Sequence, residues 1–171
     1  MITEKEDRIR GIDAANKGIA NEHIALGILM HKYNASKIDL PSSRFDIIIE
    51  KKIHDYIRIQ SKATKSSIGF IGNMRGGKSI GGGSLKKYSY RYDTKSCDVV
   101  MGVKSTIDSS GILKEADLYF MPTILIEKLK QKSISYKKIE IFKNNYEVLE
   151  NSKNKKYLNQ FEELINKLNK K

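Results

Sequence analysis

Cysteine, histidine and long apolar runs are scarce in this chain, and each scarcity removes a class of function. The single cysteine, Cys97, excludes an internal disulfide framework and a zinc site built on thiolates. It is expected to pack as a small buried hydrophobe. His23, His31 and His54 show no metal-binding spacing, so no chemistry is assigned to them. No run approaches the ~18–20 apolar residues that span a bilayer. The first ten residues carry both signs of charge around no apolar core, which is not the pattern of a signal peptide. The expected setting is soluble, reducing and cytoplasmic, with no membrane partner.

Acid is also scarce where base is dense. Over 171 residues Lys and Arg outnumber Asp and Glu by 32 to 20, a net charge of +12. Between Arg58 and Lys95 nine basic residues stand against one acid, Asp93, so +8 of the +12 lies in 38 residues. That concentration predicts a polyanionic partner, of which nucleic acid is the commonest. The length suits one α/β domain over residues 1–150 with an appended amphipathic helix over 151–171. The helix would cap the core or mediate dimerisation.

What is present is organised around Arg44–Lys62, which reads as two strands joined by a short charged turn. With the turn centred near Ile53, Asp46 falls opposite Gln60, Ile47 opposite Ile59, and Ile49 opposite Ile57. Alternation then puts the four isoleucines on one face and Asp46, Gln60 and Lys62 on the other. A carboxylate, a polar neighbour and a cation on one face make a chemical site if they line a cleft. Otherwise they are the ordinary solvated face of a half-buried hairpin.

An Asp opening one strand, followed on the next by an acidic-or-Gln residue, any residue and Lys, resembles the PD-(D/E)XK nuclease superfamily. The Arg58-Ile59-Gln60-Ser61-Lys62 run is similar to the Gln variant of small archaeal and group I intron-encoded members. Residues 17–25, KGIANEHIA, resemble the first helix of that fold, which often carries a Glu toward the site. Glu22 would be that residue; it could equally be a surface Glu. Phe45 stands in place of the name-giving Pro, and Gln60 replaces a carboxylate. The similarity covers roughly residues 14–65, and less closely the strand end at Asp117–Pro122.

The resemblance implies a restriction-endonuclease-like mixed β-sheet flanked by helices, with the C-terminal helix as an extension. It also implies an endonuclease that hydrolyses DNA with Mg2+, or Mn2+ in its place, and works as a homodimer. Holliday-junction resolvase, restriction enzyme and homing endonuclease all fit. Catalytic residues would be Glu22, Asp46, Gln60 and Lys62; metal ligands would be Asp46, the Ser61 carbonyl and Glu22. Gln60 offers only a neutral amide oxygen, so the site carries one negative charge fewer and should bind its metal more weakly. Lys62 would orient water and steady charge on the phosphate. A role as base would need its pKa lowered from ~10.4, whereas Asp46 nearby raises it. Lys65, Arg75, Lys78, Lys86, Lys87 and Arg91 are the candidates for holding DNA. A scaffold that binds nucleic acid without cleaving it is the alternative that Gln60 keeps open.

Elsewhere, residues 1–11 read as a frayed polar start and Asp13–Met30 as a helix with Ala15, Ile19, Ile24, Ile28 and Leu29 on its apolar side. Asn34–Leu40 reads as a first strand. Ile68–Leu85 holds seven of the twelve glycines and, extended to residue 87, reads as a mobile basic loop. It also contains Gly72–Ser79, a phosphate-loop pattern, but three glycines after Ile80 would break the helix such a loop opens. Tyr88, Tyr90 and Tyr92 alternate as on an exposed strand, either packing on the core or stacking on bases. Cys97–Val103 and Leu113–Met121 read as strands, Pro122–Lys132 as a helix, and 135–150 as favouring a helix. The final amphipathic helix begins at Lys156.

Overall fold

The computed structural model describes residues 4–40, 43–73 and 89–170. Helix α1 (Glu4–Met30) precedes strands β1 (Asn34–Lys37), β2 (Ile47–Lys52), β3 (Asp55–Ala63), β4 (Ser67–Gly69), β5 (Ile71–Asn73), β6 (Ser89–Arg91), β7 (Val99–Ile107) and β8 (Leu113–Pro122). Helix α2 (Thr123–Lys128), strand β9 (Ser133–Ser135), two 3-10 turns (Tyr136–Lys138 and Glu140–Phe142) and helix α3 (Tyr146–Glu150) follow. The chain closes with α4 (Lys155–Leu158), a 3-10 turn (Asn159–Phe161) and α5 (Glu162–Asn169).

Five strands form one mixed sheet in the order β1-β2-β3-β7-β8, flanked by helices. Only β3 and β7 run parallel in it; the other pairs are antiparallel. The expected hairpin register is the observed one, Ile47 opposite Ile59 and Ile49 opposite Ile57. All four isoleucines are buried, in a core shared with Ala25 and Leu29 of α1 and with Met101 and Val103 of β7. The other core gathers Val100, Tyr119 and Met121 of the sheet against Leu125, Phe142, Leu158, Phe161 and Ile165. The C-terminal helices therefore lie on the core through their apolar stripe, starting at Lys155 with Asn154 as the cap. Cys97 is fully buried, and burial pushes its thiol up to about 12. Among the described residues no helix is long and apolar enough to cross a membrane.

Several expectations need correction. α1 starts at Glu4 and passes through Asp13, so residues 4–11 are helical and Asp13 is no cap. Its sequence there is rich in Glu, Lys and Arg, good helix formers that outweigh Gly11. Ile19 is exposed and Ala15 is too, because only the C-terminal half of α1 lies over the sheet. β1 stops at Lys37. The glycine-rich segment begins as structure, not loop: β4 pairs with β9, β5 pairs with β6, and Ile68 and Phe70 are buried. Gly72 serves a close approach there, since a Cβ would lie 2.5 Å from the Tyr90 ring. Residues 74–88, with the rest of the loop and Tyr88, lie outside the described residues. α2 ends at Lys128 rather than Lys132, where Leu129 turns extended. Residues 135–150 fold as a short strand end, two 3-10 turns and α3, because Asn144 at φ 49° interrupts any longer helix and Asn145 caps the next one.

This packing sets the stability of the hairpin. Ile59→Ala is expected to cost ~2–5 kcal/mol in urea denaturation, whereas Ile53→Ala, at an 83% exposed turn position, should change stability by less than about 0.5 kcal/mol. Equal losses would contradict the facing of the hairpin.

Candidate active site

The site grows from the point where β2 begins beside β3. The Asp46 backbone N–H donates to the Ile59 carbonyl (2.9 Å), which fixes Asp46 opposite Gln60 just before the first isoleucine. With the isoleucines turned into the α1 core, the Asp46 carboxylate meets the neighbouring strand. Its Oδ2 accepts from the Ser61 N–H at 2.8 Å and from Gln60 Nε2. Gln60 Nε2 also donates to the Ser61 carbonyl at 3.1 Å. One amide thus ties together a carboxylate oxygen and a backbone carbonyl, while Gln60 and Ser61 are both buried. The Ser61 hydroxyl is buried with no hydrogen-bond partner among the described residues.

Lys62 follows on the same strand. Its Nζ lies 5.0 Å from the centre of the Tyr92 ring, a cation–π contact on a ring that is itself buried. Burial pushes the Lys62 ammonium below the usual lysine value, although Asp46 and Glu22 pull it up. The charge of Asp46 alone would raise it, but desolvation is the larger effect. Asp46 is raised above the ordinary carboxylate value, again by burial, against the Ser61 N–H, Lys62 and Lys37.

Glu22 reaches this region from α1 and is half-buried, not free on the surface. Its Oε2 lies 3.7 Å from Lys37 Nζ of β1. Burial and the charge of Asp46 raise its pKa. The structure therefore brings together Glu22, Asp46, Gln60, Ser61 and Lys62. It adds two residues that sequence reasoning passed over. Lys37 could have been found by extending the hairpin to its next neighbour, since it sits opposite Ile47. Tyr92 was visible in the tyrosine alternation, but its contact with Lys62 was not.

The expected DNA-holding residues scatter. Lys65 is exposed just beyond β3. Arg91 turns inward: its Nη2 donates to the carbonyls of Ile126 and Leu129 at 2.9 and 2.8 Å, closing the C-terminal end of α2. Arg58, counted in the same basic stretch, is paired with buried Asp98 and with the carbonyls of Thr94 and Lys95. Arg75, Lys78, Lys86 and Lys87 lie outside the described residues, as does most of the phosphate-loop pattern; its Gly72 and Asn73 lie on β5. Among the described residues no group of three or more His, Cys, Asp or Glu is placed to hold a metal ion. The oxygen donors at the hairpin are two carboxylates, a backbone carbonyl and an amide.

No family model matches this chain, and no curated protein matches it in sequence. Among solved structures, the bacterial homing endonuclease I-Ssp6803I is similar at a TM-score of 0.45 and 12% identity, over 71% of this chain and 76% of that one.

Because Asp46 and Glu22 are both raised in the folded state, the fold binds their protons more tightly than the unfolded chain does. Their stabilising contribution is complete below the ordinary carboxylate range and is lost as pH rises through the raised values. In chelator, Asp46→Asn should therefore melt higher than the wild type near neutral pH, with the two converging below about pH 4. A lower melting temperature for the variant at neutral pH would contradict the reading.

Proposed function

We propose that this chain is a metal-dependent endonuclease that hydrolyses phosphodiester bonds in DNA, using Mg2+ with Mn2+ able to substitute. One observation carries the reading. Gln60 Nε2 donates to both Asp46 Oδ2 and the Ser61 carbonyl, so two hard oxygen donors already converge on a positively polarised group beside a half-buried lysine. The raised pKa values of Asp46 and Glu22 fit the same conclusion, since two carboxylates crowded out of water gain from a nearby cation. The donor set therefore fits a hard divalent cation, with Asp46, the Ser61 carbonyl and Glu22 to hold it. Such an ion supplies a polarised water and offsets charge on the phosphate.

The chain's own residues do the rest. Lys62, held against the Tyr92 ring, presents its ammonium to the phosphate and to the attacking water. Lys37 holds Glu22 in place and adds a second positive charge at the site. Gln60, with its amide rotated, offers Oε1 in place of a carboxylate. Lys65 and the basic residues at 75, 78, 86 and 87 would hold the backbone, and the enzyme would act as a homodimer. Resolvase, restriction and homing enzymes share this chemistry and differ in the DNA they accept.

A non-cleaving DNA binder is the second reading, and Gln60 in the carboxylate position favours it. Cleavage of supercoiled plasmid and of a four-way junction with Mg2+ or Mn2+ tests both. Wild type should cut; Asp46→Ala should abolish cutting, and Lys62→Ala should slow it about 100- to 1,000-fold, with binding in chelator retained. Binding without cutting, with either ion and either substrate, would establish the second reading instead. Gln60→Glu should tighten Mn2+ binding in titration calorimetry, since it restores the missing charge.

A further inference from the structure

Two parts of the molecule stand away from its cores. Residues 9–17 of α1 are all exposed, and Ile9, Ile12 and, a turn further on, Ile19 are about half accessible. The β7–β8 hairpin is similarly exposed beyond Val103, with Ile107, Ile112 and Leu113 in the open. The hairpin tip is nonetheless held firmly. Asp108 Oδ1 accepts from the N–H groups of Ser110 and Ile112 and from the Ser110 hydroxyl, and Oδ2 pairs with Lys114 at 3.0 Å. The two arms are tied at their base, where the Ser105 hydroxyl donates to Asn21 Oδ1 at 2.7 Å.

Between the arms runs an open groove of about 730 Å³, with the end of β3 as its floor. Lys17, Asn21, Thr64, Lys65, Lys104 and Ser105 line it, and among the described residues no acidic one does. Three lysines along one groove without a carboxylate among them form a track for a polyanion. Its lining residues Asn21 and Ala63 stand next in sequence to Glu22 on α1 and Lys62 on β3, so the groove borders the elements that carry the candidate active site. A phosphodiester held at that site must send its flanking chain outward, and this groove is a path whose charge suits it.

We propose that the groove between the N-terminal half of α1 and the β7–β8 hairpin binds the sugar–phosphate backbone of the DNA flanking the scissile bond, through Lys17 and Lys65 with Lys104 at its border. The assignment rests on the nuclease reading for its orientation, but its charge argument is independent of cleavage. It gives the projecting arms a purpose: they extend the contact beyond the catalytic hairpin. It also extends the DNA contact to Lys17 and Lys104, outside the basic stretch whose Arg58 and Arg91 are engaged inside the fold.

The test is fluorescence anisotropy of a labelled duplex in chelator, across a salt series, for wild type, Lys17→Ala/Lys65→Ala and a control pair, Lys137→Ala/Lys167→Ala. All four lysines are exposed, so the variants should fold, which far-UV circular dichroism verifies. If each groove lysine neutralises one phosphate, the double variant should lose ~1.8 from the slope of log affinity against log salt, and roughly tenfold or more in affinity near 0.1 M salt. The control pair should match wild type. An unchanged slope in the groove variant, an equal loss in the control, or no binding by wild type would overturn the proposal. Cleavage separates the two readings: groove-dependent binding without metal-dependent cutting sinks the enzyme and leaves the groove. Cutting with a groove variant that binds like wild type does the reverse.

Discussion

The register of one hairpin is the constraint on which the rest depends. Ile47, Ile49, Ile57 and Ile59 are all buried against α1 and β7, and strand side chains alternate with a period of two. A slip of one residue would carry all four into the polar face and drive Asp46 and Gln60 into the apolar core. Burial of the isoleucines is thus what aims the carboxylate. The parallel pairing of β3 with β7 then locks Ser61 and Lys62 beside Met101 and Gly102. At Gly102 a Cβ would sit 2.7 Å from the Tyr136 ring, so the second core closes tightly behind the same strand.

That aiming comes at an electrostatic cost. Asp46 and Glu22 are pushed up, and Lys62 is pushed down, by the same partial removal from water. Each is the usual response of a charge to a drier site, and here the opposite charges only partly offset it. Groups so placed are less comfortable charged than they would be on the surface. A site of this kind gains most from a ligand that brings charge of its own.

The basic character of the chain divides on folding. Some of the positive charge serves structure: Arg58 satisfies buried Asp98, Arg91 closes α2, and Lys143 pairs with buried Asp117. The exposed lysines of the groove come from stretches remote in sequence, Lys17 from α1, Lys65 from the end of β3 and Lys104 from β7. A charge count along the chain weighs both kinds equally. Only the burial of a partner, or its absence, tells them apart.

By itself the sequence determined the α/β class, the hairpin and its register, and which residues share the Asp46 face, because strand periodicity and isoleucine burial are local and strongly patterned. Tertiary structure decided what depends on contacts between distant segments. α1 runs nine residues further back than its apolar spacing indicated, since exposed helix is held by propensity and leaves no hydrophobic pattern to read. The segment 135–150 breaks into short turns because its buried positions must follow an irregular path over β8. Lys37 and Tyr92 join the site from β1 and from just beyond β6, and Arg91 leaves the expected interface for a helix end. The pairing of such side chains is set by where the strands stop and cross, which no local pattern records.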